Sequence, residues 1–473
     1  MSDLTTISAP SQESGASVAP IQLFGSAVDS FVQQLRLAGQ ALRAGRLDEA
    51  ISSYFKLLPL KPYHAELHNS LGVALRQAGK LEAAVSHHRL SLASDPENPA
   101  LHSNLGNALR AANRPGEAVK HHFQSIALNR EYADGFLNLA LCLRDLGRVD
   151  EAVGCFTRAL ALNPESKRTR TEHAVALLMR GDLADGFAAY EARKRLPEIP
   201  APDFSQPAWD GGPVEGKRIL LYPEQGLSDV LLFVRFAREL KRRGASVLVL
   251  CQAPLKDLLR NVDFIDEVVA EGETLPAFDL HASMVSLPHL CRPDFACVSE
   301  PYIKAPQDRL VKLGRLDKAR LSICIYWGAS GSQPQDRLRS APFAKFLAFA
   351  GDPELLVFSL QGGAHQKDIQ QLGAAGRVHD VGRGIFDFAE AASALSQLDL
   401  LISIDAPIAH LGAAMGLKTW VLLPSNADWR WQLGAARAPW YPSARLFRQP
   451  KAGDWEPVFA SLHNELELLK IQA

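Results

Sequence analysis

The sequence predicts an α + α/β protein, a helical solenoid followed by two Rossmann-like halves. Three observations carry this. Ala50, Ala84, Ala118 and Ala152 recur at a constant step of 34 (84−50, 118−84, 152−118). Residues 218–243 read as a short apolar strand, a Gly-containing loop and a segment with apolar residues at helical spacing. Residues 399–431 repeat that order and add a second strand.

Composition sets the outer bounds. A chain of 473 residues, 47% hydrophobic and 22% charged, can bury several cores, and its length suggests about three domains. Lys+Arg at 51 against Asp+Glu at 52 leaves a net charge of −1, so the overall balance favours neither nucleic acid nor an anionic membrane. Cys142, Cys155, Cys251, Cys291, Cys297 and Cys324 form no C-x-x-C pair and read as thiols of a reducing compartment, with no metal expected. The N-terminus shows no basic segment with an apolar h-region, and no apolar run approaches the roughly 20 residues that span a bilayer. The expectation is a cytoplasmic protein without a membrane span. Residues 1–27, rich in Ser, Ala, Thr and Pro, read as a disordered tail.

The repeats follow at 28–195. Besides the alanine column, Ala38, Gly72, Gly106, Ala140 and Ala174 keep the same step, as do Pro62, Pro96 and Pro164, with Arg130 in the remaining place. This is the tetratricopeptide period: each unit is a pair of antiparallel helices that need small residues where their backbones approach, and Pro ends the second helix. Four repeats are clear and a fifth, degenerate one runs to about Arg195. Tyr54, His88, His122, Phe156 and Tyr190 form another column, expected to be packing; His87-His88 and His121-His122 are adjacent, and neighbouring helix positions cannot both face one ion. The groove of such a solenoid suits a protein partner. Asn104 and Asn138 resemble the asparagine ladder of the repeat array in protein O-GlcNAc transferases, which implies an acceptor or partner peptide gripped by side-chain amides; Arg36 and Ser70 hold the earlier places.

Residues 196–217, full of Pro and Gly, form an irregular linker. The first α/β half is expected at 218–306. Strand 218–222 leads into Pro223-Glu224-Gln225-Gly226-Leu227-Ser228-Asp229 and a helix over 230–243 whose basic end suits a C-terminus. Strands are expected at 247–251, 267–270 and 278–282, with a helix at 255–259. As a plain cap, Ser228 or Asp229 would stabilise the helix by about 1 kcal/mol.

The second half, 307–473, opens with strand 321–327 and a polar loop carrying Arg337 and Arg339. An arginine fork can bind two phosphate oxygens at once. Strand 355–360 precedes Gln361-Gly362-Gly363. Strand 400–403 turns at Asp405-Ala406-Pro407, with Asp405 or Ala406 at the cap position and Pro407 first in the helix 408–415; Gly416 ends that helix before strand 419–423. A helix starting at a strand's carboxyl end offers its free N–H groups to a phosphate, and Asp405 and His410 flank that turn. Trp429 and Trp431 read as packing residues or as platforms for a base or sugar. A helix over 455–469 closes the domain.

The run 399–431, with D-x-x-x-x-H, G-A-x-G-x-x-x-W-V-L-L-P and D-W-R-W, resembles heptosyltransferase-like glycosyltransferases that carry tetratricopeptide repeats, and Trp209-Asp210-Gly211 matches them again. The resemblance implies a glycosyltransferase-B fold and transfer of a sugar from a nucleotide-diphosphate donor, without metal or other cofactor, to a macromolecular acceptor such as a flagellin or adhesin. A lipid-linked or polysaccharide acceptor, or an inactive scaffold, is the alternative. It implies Asp229 as general base with Glu224 as alternative, and Gln225 and Gly226 facing the acceptor. Asp405, Ala406, His410, Arg337, Arg339, Trp327, Gly328 and Gln361 would border the donor. The sequence departs from the family pattern at Ser228 (usually Gly), Gly362 (usually Lys) and Ala406 (usually Thr). In this fold the last helix commonly crosses back to the first half.

Overall fold

A computed structural model describes residues 21–472 except 201, 294, 296–299, 315–319 and 330–335, with backbone alone for 21–29 and 337. The tail expected at 1–27 lies outside the described residues up to residue 20; from Ile21 the chain is helical. Five sequential pairs of helices follow: α1 (Ile21–Arg43) and α2 (Leu47–Leu57), α3 (Ala65–Gln77) and α4 (Leu81–Ser94), α5 (Pro99–Ala111) and α6 (Pro115–Leu128), α7 (Ala133–Asp145) and α8 (Val149–Leu162), and α9 (Lys167–Arg180) and α10 (Leu183–Tyr190). Starts are chemically marked: Pro99 and Pro115 open their helices, the Asn98 side chain accepts from the Ala100 N–H, and Ser166 from the Thr169 N–H.

The turn inside each pair needs a left-handed residue, and Gly45, Gly79, Asn113, Gly147 and Gly181 supply it at φ 73°, 74°, 60°, 74° and 100°. The alanine column is fully buried, and Tyr54, His88, His122, Phe156 and Tyr190 are buried as the expected packing column. The two columns are matched in size. A Cβ on Gly72 or Gly106 would lie 2.7 or 2.6 Å from the ring of His88 or His122, and where the large column carries Tyr54, Phe156 and Tyr190 the small column carries Ala38, Ala140 and Ala174. The neighbouring histidines do something else: His87 and His121 meet His68 and His102 Nδ1 to Nδ1 at 3.0 and 3.3 Å.

The chain divides into two compact units, Met1–Cys142 and Leu143–Ala473. The expected division at the linker 196–217 is therefore displaced into α7, so that α8 to α10 belong with the sheets. The reason is packing. Phe187 of α10 meets Phe233 and Trp429 edge-on, the Leu433 N–H donates to the Met179 carbonyl at 3.3 Å, and Gly181 lies against Gln432. A terminal repeat needs a cap over its apolar face, and the α/β region supplies one.

That region holds two sheets. In the first, β1 (Arg218–Tyr222), β2 (Ser246–Cys251), β3 (Glu267–Ala270) and β4 (Leu280–Ser283) run parallel in the order β3-β2-β1-β4. The second, in the order β10-β11-β9-β8-β5-β6-β7, comprises β5 (Leu321–Tyr326), β6 (Leu355–Ser359), β7 (Val378–Asp380), β8 (Leu400–Ile404), β9 (Thr419–Leu423), β10 (Arg437–Ala438) and β11 (Tyr441–Arg448). It is parallel except for β10 against β11. Every residue of β8 and β9 is buried, as a parallel strand covered on both faces requires. Strand order reverses beside β1 in the first sheet and between β5 and β8 in the second. The last helix, Glu456–Gln472, packs on the second sheet's side through Phe459 against Phe346 and Phe349, and through Lys470 with Asp352. The contacts described for it do not include the expected return to the first half.

Candidate functional site

Open parallel sheets bind ligands outside strand carboxyl ends where strand order reverses. The loop after β1 holds Glu224, Gln225 and Gly226; those after β5 and β8 hold Trp327, Gly328, Asp405 and Ala406. The helix following β1, α11 (Leu227–Phe233), packs against the helix Pro407–Ala414 that follows β8. The two sets of sequence-predicted residues are thereby brought together.

Asp229 lies in the first turn of α11, but Gly226 is the N-cap and no side chain caps the helix. The capping role offered for Ser228 or Asp229 is not taken. Instead the nearly buried Asp229 carboxylate accepts from Arg430: Nε donates to Oδ1 at 2.9 Å, and Nη2 donates to the same oxygen. Arg430 also donates to Asp428 at 2.7 Å and stacks over Trp429 at 4.6 Å. Burial raises the Asp229 pKa and Arg430 only partly offsets it. Burial opposes the Arg430 charge, yet Asp229 and Asp428 keep its pKa well above the usual arginine value. Glu224 is committed to Arg193, which donates to both of its oxygens at 2.7 and 2.9 Å and is itself 1% exposed. Gln225 donates to Tyr190 Oη at 3.4 Å, and its carbonyl accepts from Gln252 at 3.1 Å.

Across from α11, Ala406 is the N-cap of the Pro407–Ala414 helix, with no side-chain cap and Pro407 at its first position. Asp405 is buried; desolvation, then the negative charge of Asp428, raises its pKa. His410 is buried too, and burial followed by Arg430 holds its pKa down to about 3. The 3.9 Å approach of His410 Nε2 to Asp405 is thus a contact with a neutral imidazole rather than an ion pair. His410 Nδ1 meets Tyr441 Oη at 3.0 Å and its ring lies 4.8 Å from that of Trp431, while Nε2 has no hydrogen-bond partner.

The remaining residues expected to border a donor divide. Arg339 pairs with the buried Asp336, reaches the Asp405 carbonyl at 3.5 Å, and leaves Nε unpartnered. The side chain of Arg337 lies outside the described residues. Gln361 Oε1 accepts from the Trp327 and Gly328 N–H groups at 3.0 and 2.8 Å, and its Nε2 donates to the Gly328 carbonyl at 3.1 Å. It ties the end of β5 to the end of β6. Trp327 is 1% exposed, donates its indole N–H to Asp368 and stacks on Phe343, so its ring packs rather than facing a ligand. Trp429 and Trp431 are buried as well. Asn104 and Asn138 belong to the first unit, where they donate to Asn69 at 2.9 Å and Ser103 at 3.1 Å.

Arg430 was missed as the partner of Asp229, although it lies in the D-W-R-W run; Arg193 as the partner of Glu224, and Tyr441 as that of His410, carried no local signal. Among the described residues, no group of three or more His, Cys, Asp or Glu is placed to hold a metal ion, and no helix is long and apolar enough to cross a membrane. Cys142, Cys155, Cys251, Cys291 and Cys324 are free thiols; Cys297 lies outside the described residues.

Comparison with known proteins places tetratricopeptide-repeat matches at residues 35–99, 100–134 and 133–166. Protein FlbA of Caulobacter vibrioides is 25% identical over 338 residues, 62% of this chain and 54% of its own length. The chain thus spans about half of that relative. Among solved structures, MamA is 22% identical over 33% of this chain and 92% of its own, with a TM-score of 0.30. Pseudomonas aeruginosa pilF is 23% identical over 35% and 76%, TM-score 0.33. YrrB, described as a TPR protein with an unusual peptide-binding site, is 18% identical over 37% and 91%, TM-score 0.31. Residues 35–166 are therefore tetratricopeptide repeats, in a chain that continues into a region of parallel and mixed sheets.

Proposed function

We propose that the sheet region is a glycosyltransferase of the glycosyltransferase-B type, moving a sugar from a nucleotide-diphosphate donor to a protein acceptor of the flagellin or adhesin kind held by the repeats. The observation that carries this reading is the juxtaposition of two strand-order reversals. They bring α11, which carries the buried Asp229, against the Pro407–Ala414 helix that follows the Asp405-Ala406 turn.

In this reading the diphosphate lies at the N-terminus of the Pro407–Ala414 helix, with Arg339 opposing the charge on the departing nucleoside diphosphate. Asp229 takes the acceptor hydroxyl proton, the acceptor oxygen bonds to the anomeric carbon, and the bond from that carbon to the diphosphate oxygen breaks with its electron pair. A raised pKa suits a base near neutrality, but Arg430 must first leave the carboxylate. Donor phosphate is the anion that would draw it away. Glu224 is the poorer base because both oxygens are taken by Arg193. Neither a metal nor another cofactor has a role in this scheme.

A thermal-shift screen against UDP-, GDP-, ADP-, dTDP- and CMP-sugars, repeated on Asp405→Ala, Arg339→Ala and His410→Ala, tests it. A rise for one donor, lost in the variants, supports the transferase. No response to any donor supports a second reading, a scaffold that no longer catalyses. That reading draws on the pairing of both Asp229 and Glu224 with arginines and on the departures at Ser228, Gly362 and Ala406.

A further inference from the structure

Between α9 and the turn that follows Arg195 lies a cavity of about 620 Å³, within the range of ligand sites, with Tyr190 and Gln225 also in its lining. Its charges are unbalanced. Arg193 is neutralised by Glu224 and Glu191, and Glu172 by Arg144 at 2.5 Å. That leaves Lys167, Arg168 and Arg195, all exposed and without an ion-pair partner among the described residues, against Glu198 alone. The placement of two of these cations is locally unfavourable. Lys167 and Arg168 open α9, whose first turn carries no acid, while α2, α3, α4, α6, α7, α8 and α10 each carry at least one there. A cation at a helix N-terminus opposes the helix dipole, and an anionic occupant would relieve it. Leu196, Pro197 and Ile199 give the groove an apolar side.

We propose that this groove binds a short acidic peptide segment, its carboxylates on Lys167, Arg168 and Arg195 and its aliphatic side chains on Leu196 and Ile199. The apolar side favours a peptide over a bare polyphosphate or sulfated sugar. The binding stands on the groove alone; that the segment leads an acceptor toward the Gln225 loop rests on the transferase reading.

The test is fluorescence polarisation of the full chain with a labelled Glu-Leu repeat peptide and a Lys-Leu repeat as control. The acidic probe should bind with a Kd that rises with salt. The triple variant K167E/R168E/R195E, checked for an unchanged circular dichroism melt, should weaken it on the order of tenfold or more. L196S/I199S should weaken it without removing its salt dependence. Binding of the probe by the triple variant as by the parent, equal binding of the basic peptide, or equal displacement by tripolyphosphate or dextran sulfate would overturn the assignment. Donor thermal shifts of the same variants separate the two readings: a donor response with no peptide binding sinks only the groove, and the reverse sinks only the transferase.

Discussion

Replacing Arg430 by Met should be among the most damaging single changes in the sheet region. The guanidinium and the Asp229 carboxylate are 11% and 7% exposed at the side chain, so the substitution leaves a carboxylate with little water and no counter-charge. Breaking a buried pair from one side costs about 3–5 kcal/mol, and here the stacking on Trp429 is lost as well. Burial already raises the Asp229 pKa with Arg430 in place, so without it the shift must grow. A carboxyl whose folded pKa is raised binds its proton more tightly folded than unfolded; its stabilising contribution is present at low pH and lost as pH rises through the folded value. The R430M penalty should therefore be largest near neutral pH and shrink as the pH falls, and D229N should rescue R430M at neutral pH. Urea titration followed by tryptophan fluorescence reads this unit selectively, because all seven tryptophans, Trp209 to Trp455, lie beyond Cys142. A penalty under about 1 kcal/mol, one that grows on acidification, or no rescue by D229N would refute the closed pair.

Other outcomes follow from the same geometry. Burial lowers His88 to about 4 and His122 to about 3, so both must be neutral when folded. Their contribution is whole above the unfolded value near 6.5 and is lost as pH falls toward the folded values, by about 3 kcal/mol each at pH 4. Circular dichroism melts of the first unit's helices between pH 7 and 4, flattened in H88F/H122F, check this. Gly72→Ala drives a methyl into the His88 ring and should cost about 1–3 kcal/mol, while Ala at Gly79, where no neighbour lies within 4 Å, fails only through its left-handed backbone. A G72A melt indistinguishable from the parent would contradict the Gly–His fit. Gln361→Leu strips the Trp327 and Gly328 N–H groups of their acceptor and should cost about 2–4 kcal/mol in urea titration, with any donor response lost.

The repeats were legible because their cause is local and periodic: a small residue at each crossing, and Pro at three of the four repeat ends, keep a step of 34 positions, and the family matches at 35–166 agree. The same logic placed β1, β8 and the Pro407–Ala414 helix to within a few residues, since apolar runs, Gly and Pro act on their own neighbourhood, whereas the single helix expected at 230–243 is instead α11, a 3-10 turn at Val234–Phe236 and a separate helix Ala237–Arg242. The pairings across the chain were not legible. Arg430 lies 201 positions from Asp229, Arg193 31 from Glu224 and Tyr441 31 from His410, and no periodicity links such partners. The unit boundary moved for the same reason. Pro and Gly marked 196–217 as irregular, but nothing local records that Phe187 packs on Phe233 and Trp429 and so keeps α10 with the sheets. The sequence by itself determined where helices and strands begin and which columns must be small. Only the tertiary structure decided that both candidate bases are closed by arginines, that Trp327 is buried against Phe343 and that Gln361 hydrogen-bonds the end of β5. Burial and ion pairing are properties of what surrounds a residue, and those surroundings come from remote parts of the chain.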